Sequence, residues 1–303
     1  MVKHFKMKKL ILLNNWGESP LQYLEHCRQQ NPDNNFTWGN ITGVTNLSDA
    51  DYYIVLDGLP NGLNPYSLDP EKTIYLQREP SHVRAYTRPI NAKHIYSYDN
   101  HLTYALWWIK KPFRELSDLK YPEKIRFNQN ENSVTCILTN KRFTYGQRIR
   151  MDFAKKVSQT LEGKVHYYGN SLASEGFGNS FKGGLPLLGP PKRCKYDGLI
   201  PYSYSISLEN GKLRNFCTRV WEPFLCWTMP IYWGCPNIED FYPEDSYYTI
   251  DIENPEEAIR ELSDIIKRPI TKKNIEAIQH ARELVLYKYN IWPFLQEIIN
   301  EHR

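Results

Sequence analysis

Two successive blocks of the chain each alternate short apolar runs with segments of helical period, and this restricts the fold more than any other feature. In the first block, Lys9–Leu13, Tyr52–Leu56, Thr73–Leu76 and His94–Tyr98 read as strands, and a helix is expected from about Leu21 to Gln29. In the second, Val134–Leu138, Val165–Tyr168, Tyr202–Leu208 and Met229–Trp233 read as strands. Helices are expected over Arg148–Leu161, Arg219–Trp227, Glu256–Lys267 and Lys273–Tyr287. Between the blocks, Lys110–Glu131 is highly charged and broken by Pro112 and Pro122, as a connection would be. The pattern predicts an α/β protein of two Rossmann-like domains facing each other across a cleft, with ligand at the carboxyl ends of the strands. A first domain is expected over 1–130 and a second over 131–290, with a last helix in 291–303 returning to the first. A chain of 303 residues is long enough for two such cores.

Charge and hydropathy exclude several classes. The net charge of +4 is spread along the chain, the isoelectric point is about 8.5, and no basic stripe of the kind that binds nucleic acid is present. The excess charge suits a phosphorylated small ligand instead. No apolar stretch approaches the roughly 18 residues of a membrane span. Leu10–Leu13 follows a lysine-rich start but is too short for a secretory signal, which points to a cytoplasmic protein, with peripheral membrane association through the basic ends left open. The six cysteines show neither CxxC nor zinc spacing and are expected as free thiols. The 22 tyrosines and 8 tryptophans suit a carbohydrate cleft, since flat apolar rings stack on the C–H faces of sugars.

Residues Tyr202–Tyr242 read YSYSISLENGKLRNFCTRVWEPFLCWTMPIYWGCPNIEDFY. Leu208-Glu209-Asn210, then Thr228-Met229-Pro230-Ile231-Tyr232-Trp233-Gly234 with Phe241 beyond, resembles the donor-binding core of the family 10 glycosyltransferases, the α1,3/α1,4-fucosyltransferases. That family's pattern is an aromatic-rich strand ending in Phe-Glu-Asn, a loop, Tyr-Val-Thr-Glu-Lys opening a helix, and Pro-(Ile/Val)-(Tyr/Val)-(Trp/Leu)-Gly. Upstream, Thr139-Asn140 is similar to the family's Ser-Asn segment, Tyr168-Gly169-Asn170 to its aromatic-Gly-Arg strand end, and Gln77-Arg78-Glu79-Pro80 to the stretch carrying its catalytic glutamate. The resemblance is strong over 134–262 and weak over the first 130 residues. One departure stands out. Cys217-Thr218-Arg219 occupies the place of Thr-Glu-Lys, so the cation is kept as arginine while Thr218 stands for the donor-site glutamate. That exchange bears on the donor's identity more than on the reaction type.

The resemblance implies a GT-B type, inverting and metal-independent transfer of a sugar, L-fucose from GDP-fucose in the first instance, to a glycan hydroxyl. No tightly bound cofactor is expected; the acceptor is expected on the first domain (1–130) and the nucleotide sugar on the second (131–290). Leaving-group departure puts negative charge on a nucleoside diphosphate, which preorganised cations stabilise. Arg219 and Arg150, each expected near a helix start, would grip that diphosphate from two sides, with Arg148 a competitor for Arg150. Glu209, Asn210, Thr218, Tyr204, Asn140 and Gly169 complete the expected donor site, although core packing is the commoner role for tyrosines such as Tyr204 and Tyr232. Glu79, just past a strand and fixed in extended backbone by Pro80, is expected as general base. Glu18 is a further candidate on the acceptor side. Asp49-Ala50-Asp51 has the form of a metal-binding DxD, but acids so placed before a strand commonly serve turns. His4, His82, His94 and His101 lack ligand spacing, so no metal is expected. Two alternatives remain open: a related transferase using another nucleotide sugar, and a glycan- or nucleotide-binding protein without catalysis.

Overall fold

The computed structural model describes residues 6–78, 90–99, 104–122, 134–173, 175–185 and 194–301. The chain forms two compact units, one of residues 1–106, 112–114 and 286–303, the other of residues 107–111 and 115–285. The crossing to unit 2 thus begins at Trp107, ahead of the charged stretch in which the connection was expected.

Unit 1 is built on a six-stranded sheet: β1 (Lys8–Asn14), β2 (Thr37–Trp38), β3 (Ile41–Val44), β4 (Tyr52–Leu56), β5 (Thr73–Gln77) and β6 (His94–Ser97), in the order β2-β3-β1-β4-β5-β6. All pairings are parallel except the short β2–β3 ribbon. A parallel sheet is covered on both faces, so its strands are apolar on both. Leu10 to Leu13 and Ile54 to Leu56 are accordingly buried without alternation. Helix α1 (Pro20–Arg28) starts at a capping box in which Ser19 and Gln22 satisfy each other's backbone N–H groups, with Pro20 in the first turn. Helix α7 (Ile291–Glu301) belongs to this unit. It is tied to α1 by the indole of Trp292, which donates to the Cys27 carbonyl (2.8 Å).

Unit 2 carries a five-stranded, wholly parallel sheet: β7 (Val134–Ile137), β8 (Val165–Tyr168), β9 (Tyr204–Leu208), β10 (Met229–Trp233) and β11 (Tyr248–Thr249), in the order β11-β10-β9-β7-β8. Around it lie α3 (Tyr145–Thr160), α4 (Trp221–Leu225), α5 (Pro255–Ile265) and α6 (Lys272–Glu283), while the five-residue α2 (Phe113–Ser117) straddles the crossing between units. Helix α3 begins three residues earlier than expected, because Thr144 and Gln147 form a capping box. Helix α4 is only five residues long, and Arg219 lies in the loop before it, not in its first turn. In both sheets the order reverses beside one strand, at β1 in unit 1 and at β7 in unit 2. Such a reversal is where a parallel sheet opens a crevice at its carboxyl edge, and in unit 2 a small cleft lies there.

Arg282 on α6 ends α4. It is buried, its guanidinium donates to the carbonyls of Phe224, Leu225, Leu116 and Leu119, and it lies over the Trp227 ring at 4.3 Å. These include last-turn carbonyls that α4 cannot satisfy itself. Arg282→Ala should lower unfolding free energy by on the order of 3 kcal/mol in urea titrations, with Arg282→Lys recovering only part because an ammonium cannot fork across several carbonyls.

Candidate functional site

The crevice of unit 2 lies between the loop after β7 and the loop after β9, and one side chain bridges it. Arg150, in the second turn of α3, is only 1% exposed. Its Nη1 donates to Asn210 Oδ1 (2.7 Å) and toward the Leu208 carbonyl (3.4 Å), and its Nη2 reaches Thr139 Oγ1 (3.4 Å). Its Nε has no partner. The neighbouring candidate, Arg148, faces solvent and donates to the carbonyls of Arg142 and Phe143, so the structure separates the two arginines by helical phase. Close approach of α3 to the β9 loop depends on Gly146: a Cβ there would strike the Asn210 carbonyl.

Arg219 comes to the same place from the other side. Glu209, at the end of β9, is wholly buried. Its Oε2 accepts from the Thr218 hydroxyl (2.9 Å) and its Oε1 from the Arg219 backbone N–H (2.7 Å), with the Tyr232 hydroxyl at 3.5 Å. Burial raises the Glu209 pKa against the opposing pull of Arg219 and these donors. The Arg219 Nε is buried without a partner. Arg150 holds its proton less firmly than usual, first because it is desolvated and then because the Arg219 charge stands nearby. An anion between the two guanidinium groups would offset both effects.

A third cation was not foreseen. Lys195 donates to both carboxylate oxygens of Glu222 on α4 (2.7 Å each), and Glu222 Oε1 also accepts from the Trp108 N–H (2.9 Å). Burial lowers the Lys195 pKa, Glu222 opposes that, and Arg219 adds to it. Lys195, Arg219, Glu222, Ser205 and Ser207 line one small cleft. The available signal was that Lys195 closes a stretch, Ser171 to Lys195, rich in Gly, Pro and Ser, a composition that marks a long loop near a site. Among these five charged groups, three cations (Arg150, Arg219, Lys195) face two carboxylates (Glu209, Glu222), leaving one positive charge over.

Several expected donor contacts take other forms here. Glu209 was expected to meet the nucleotide; fully buried and bonded to Thr218 and Arg219, it instead fixes the loop that carries the arginine. Thr218 is turned into that carboxylate. Tyr204 is core, its hydroxyl donating to the Arg268 carbonyl (2.7 Å). Gly169 permits close packing, since a Cβ would meet the Leu138 carbonyl. Asn210 remains half-buried at the crevice edge, and Asn140 sits in the loop after β7 with its N–H on Ser171 Oγ (3.1 Å). The helix-start argument for the two arginines does not apply: Arg150 is a turn too deep, and α4 is too short to offer an N-terminus. Glu79 lies outside the described residues, as do His4, His82 and His101. Asp51 accepts the N–H of Lys9 on β1, while Asp49 accepts the Asn46 amide within its own turn. Among the described residues no cluster of three His, Cys, Asp or Glu side chains is placed to hold a metal ion, and no helix is long and apolar enough to cross a membrane.

No family model matches the chain. Over 118 residues it is 27% identical to alpha-(1,3)-fucosyltransferase B of Drosophila melanogaster, covering 38% of this chain and 26% of that one. Over 106 residues it is 27% identical to GDP-fucose protein O-fucosyltransferase 3 of Danio rerio, covering 35% and 20%. The matched stretch thus spans 26% of one relative and 20% of the other. An alpha-glucosyltransferase solved in complex with UDP and a 13-mer DNA superposes over 98% of this chain and 99% of its own, with a TM-score of 0.59 and 9% identity. An alpha1,3-fucosyltransferase superposes over 99% and 90%, with a TM-score of 0.52 and 16% identity. The fold is that of the GT-B glycosyltransferases, and the chain is fucosyltransferase-like in fold and in part of its sequence.

The packing at Gly146 has a direct test. Gly146→Ala should cost about 1–3 kcal/mol by chemical denaturation, because backbone meets the added methyl. Gly211→Ala, in open space one residue beyond Asn210, should change stability by less than about 0.5 kcal/mol. Equal effects would contradict the close approach of α3 to the β9 loop.

Proposed function

We propose that this protein is a glycosyltransferase which binds a nucleoside-diphosphate sugar in the crevice of unit 2 and passes the sugar to a hydroxyl of a glycan acceptor. The observation that carries this is the pair of guanidinium groups, Arg150 and Arg219, converging at the carboxyl edge of a parallel sheet, each with an unpartnered Nε. Two fixed cations in a desolvated crevice need no reorganisation as charge develops on a departing diphosphate, which is where electrostatic catalysis gains most. Asn210, held by Arg150, is at the right edge to meet nucleotide hydroxyls. GDP-fucose is the first choice of donor, supported by the Leu208–Gly234 pattern and the names of the sequence relatives.

On this reading Glu79 draws the proton from the acceptor hydroxyl while that oxygen attacks the anomeric carbon from the face opposite the diphosphate, giving single-displacement inversion without a metal. The protein would act in the cytoplasm. A second donor class is favoured by one observation: Thr218 replaces the family's glutamate and is engaged with Glu209, so the carboxylate that faces the donor in fucosyltransferases is missing. The UDP bound by the superposing alpha-glucosyltransferase makes UDP-glucose the natural competitor.

A thermal-shift panel of GDP, UDP, dTDP and CMP sugars decides the donor. A ligand present at about 100 times its Kd stabilises by about 2.7 kcal/mol, and GDP-fucose is expected to do so. If only UDP compounds move the melting temperature, the fucose assignment fails; if none does, the transferase reading fails with it. Arg219→Met should abolish the shift and reduce transfer by about 10²–10³-fold. Glu79→Gln should leave the shift in place while transfer falls by about 10²–10⁴-fold; unchanged transfer would remove Glu79 from its role.

A further inference from the structure

Two cysteines of unit 2 flank the loop that carries Arg219. Cys217 stands two residues before that arginine, and Cys235 follows the turn that ends β10. One hydroxyl holds the two segments together: Tyr232 Oη donates to the Phe216 carbonyl (3.3 Å) and accepts the Cys235 N–H (2.8 Å). A second tie lies just beyond. The Asn215 N–H donates to Asn237 Oδ1 (3.0 Å), and Asn237 Nδ2 donates to Asn215 Oδ1 (3.1 Å). A Cβ at Gly234 would strike the Glu209 side chain, so the turn after β10 packs directly on the carboxylate that fixes the Arg219 loop. Both cysteines are buried and free, and their thiols share a hydrogen bond.

The two thiols differ in acidity. Burial pushes the Cys217 thiol well up. The Cys235 thiol lies below its usual range, first because Cys217 donates to it and then because the backbone N–H groups of Asn237 and Asn215 face its sulfur, with burial and the Glu209 charge opposing. In its neutral form it donates to Asn237 Oδ1 (3.2 Å). Such a pair supplies a nucleophilic sulfur and a second thiol placed to resolve it. Cys235 also lines a cavity of about 700 Å³ beside β11 and α5, so a small molecule can reach it from that side. The cavity lining sets Glu239, Glu244, Glu261 and Asp264 against Arg268, four carboxylates to one guanidinium. An anionic disulfide such as oxidised glutathione is repelled there, while an uncharged hydroperoxide is not.

We infer that Cys217 and Cys235 form an oxidation site, a dithiol that a hydroperoxide converts to a disulfide, and that this bond displaces Arg219. Cys235 gives up its proton and its sulfur attacks the hydroperoxide. An S–O bond forms, the O–O bond breaks, and the leaving oxygen takes that proton and departs as an alcohol, or as water when the oxidant is hydrogen peroxide. The Cys217 sulfur then attacks the Cys235 sulfenic acid. An S–S bond forms, the S–O bond breaks, and the released hydroxide takes the Cys217 proton as water. The two thiols lose two electrons and the hydroperoxide gains them. Disulfides that form in a reducing compartment are usually transient ones of this sensing kind. A covalent sulfur–sulfur bond is much shorter than a contact between hydrogen-bonded thiols. Cys217 must therefore move toward Cys235, and the next two residues follow it. Their bonds to Glu209, 2.9 Å from the Thr218 hydroxyl and 2.7 Å from the Arg219 N–H, leave no slack for that movement. That the displacement weakens nucleotide binding rests on the function proposed above; the oxidation and the displacement do not.

The full chain, reduced and then treated with hydrogen peroxide, should lose the mass of two hydrogen atoms. Tandem mass spectrometry should place the link between Cys217 and Cys235, and dithiothreitol should remove it. Hydrogen–deuterium exchange over residues 217–219 should be about tenfold faster in the oxidised form. GDP-fucose should bind that form about tenfold more weakly. Cys235→Ser should bind the nucleotide sugar as the reduced parent does and lose the response to peroxide, whereas Cys217→Ala should accumulate a Cys235 sulfenic acid that dimedone traps. Peroxide that leaves both thiols free, a link to a different cysteine, unchanged exchange over 217–219 in the linked protein, or equal nucleotide affinity in the two forms would overturn the inference. A link with faster exchange, in a protein that when reduced responds to no nucleotide sugar, would uphold the oxidation site and remove the transferase reading, so the two failures can be told apart.

Discussion

The Glu209 carboxylate has no exposure to solvent, and a charge so placed must be matched within its own surroundings. It is matched by the Thr218 hydroxyl and the Arg219 N–H, so the loop between β9 and α4 cannot take another path without stranding a buried charge. The position of the Arg219 guanidinium follows from this. Arg150 is placed by a separate constraint, the lack of a Cβ at Gly146, which lets α3 lie against the Asn210 carbonyl. Two arginines that would repel each other are thus brought together by a carboxylate and a glycine, neither of which needs to touch a ligand.

Such an arrangement is electrostatically costly. Arg150 is desolvated beside a like charge, and the nearby Lys195 is held by Glu222 and disfavoured by Arg219. Folding tolerates the excess because the buried carboxylates offset most of it, and a bound anion would offset the rest. Thr218, where the sequence pattern of fucosyltransferases has a glutamate, fits the same electrostatics: a second carboxylate here would compete for Arg219 with any anion. Threonine keeps a hydroxyl for Glu209 and adds no charge.

The two units repeat one principle. In each, the strand order reverses. Unit 2 fills the edge of its crevice with cations and a small amide, a set that answers phosphate.

By itself the sequence determined the α/β class and most of its elements, because strands buried on both faces must be unbroken apolar runs. Tyr52–Leu56, Val165–Tyr168 and Met229–Trp233 are observed with the bounds their composition implies. It did not reveal β2, β3 or β11, which are two to four residues long and held by neighbours more than by their own pattern. The candidates were legible as residue types: Arg150 and Arg219, expected at helix starts, and Asn210, expected at a strand end. Their directions were not. Arg148 and Arg150 are equivalent in a sequence, and only the capping box at Thr144 and the packing of α3 turn one outward and the other into the crevice. Glu209 could be recognised as a strand-end acid, but whether it meets ligand or loop depends on a backbone N–H ten residues away. Lys195 joined the site only when α4 brought Glu222 to it. Local pattern decides which face of an element is buried; which charge lies beside which is a long-range property, and for this protein tertiary packing alone supplied it.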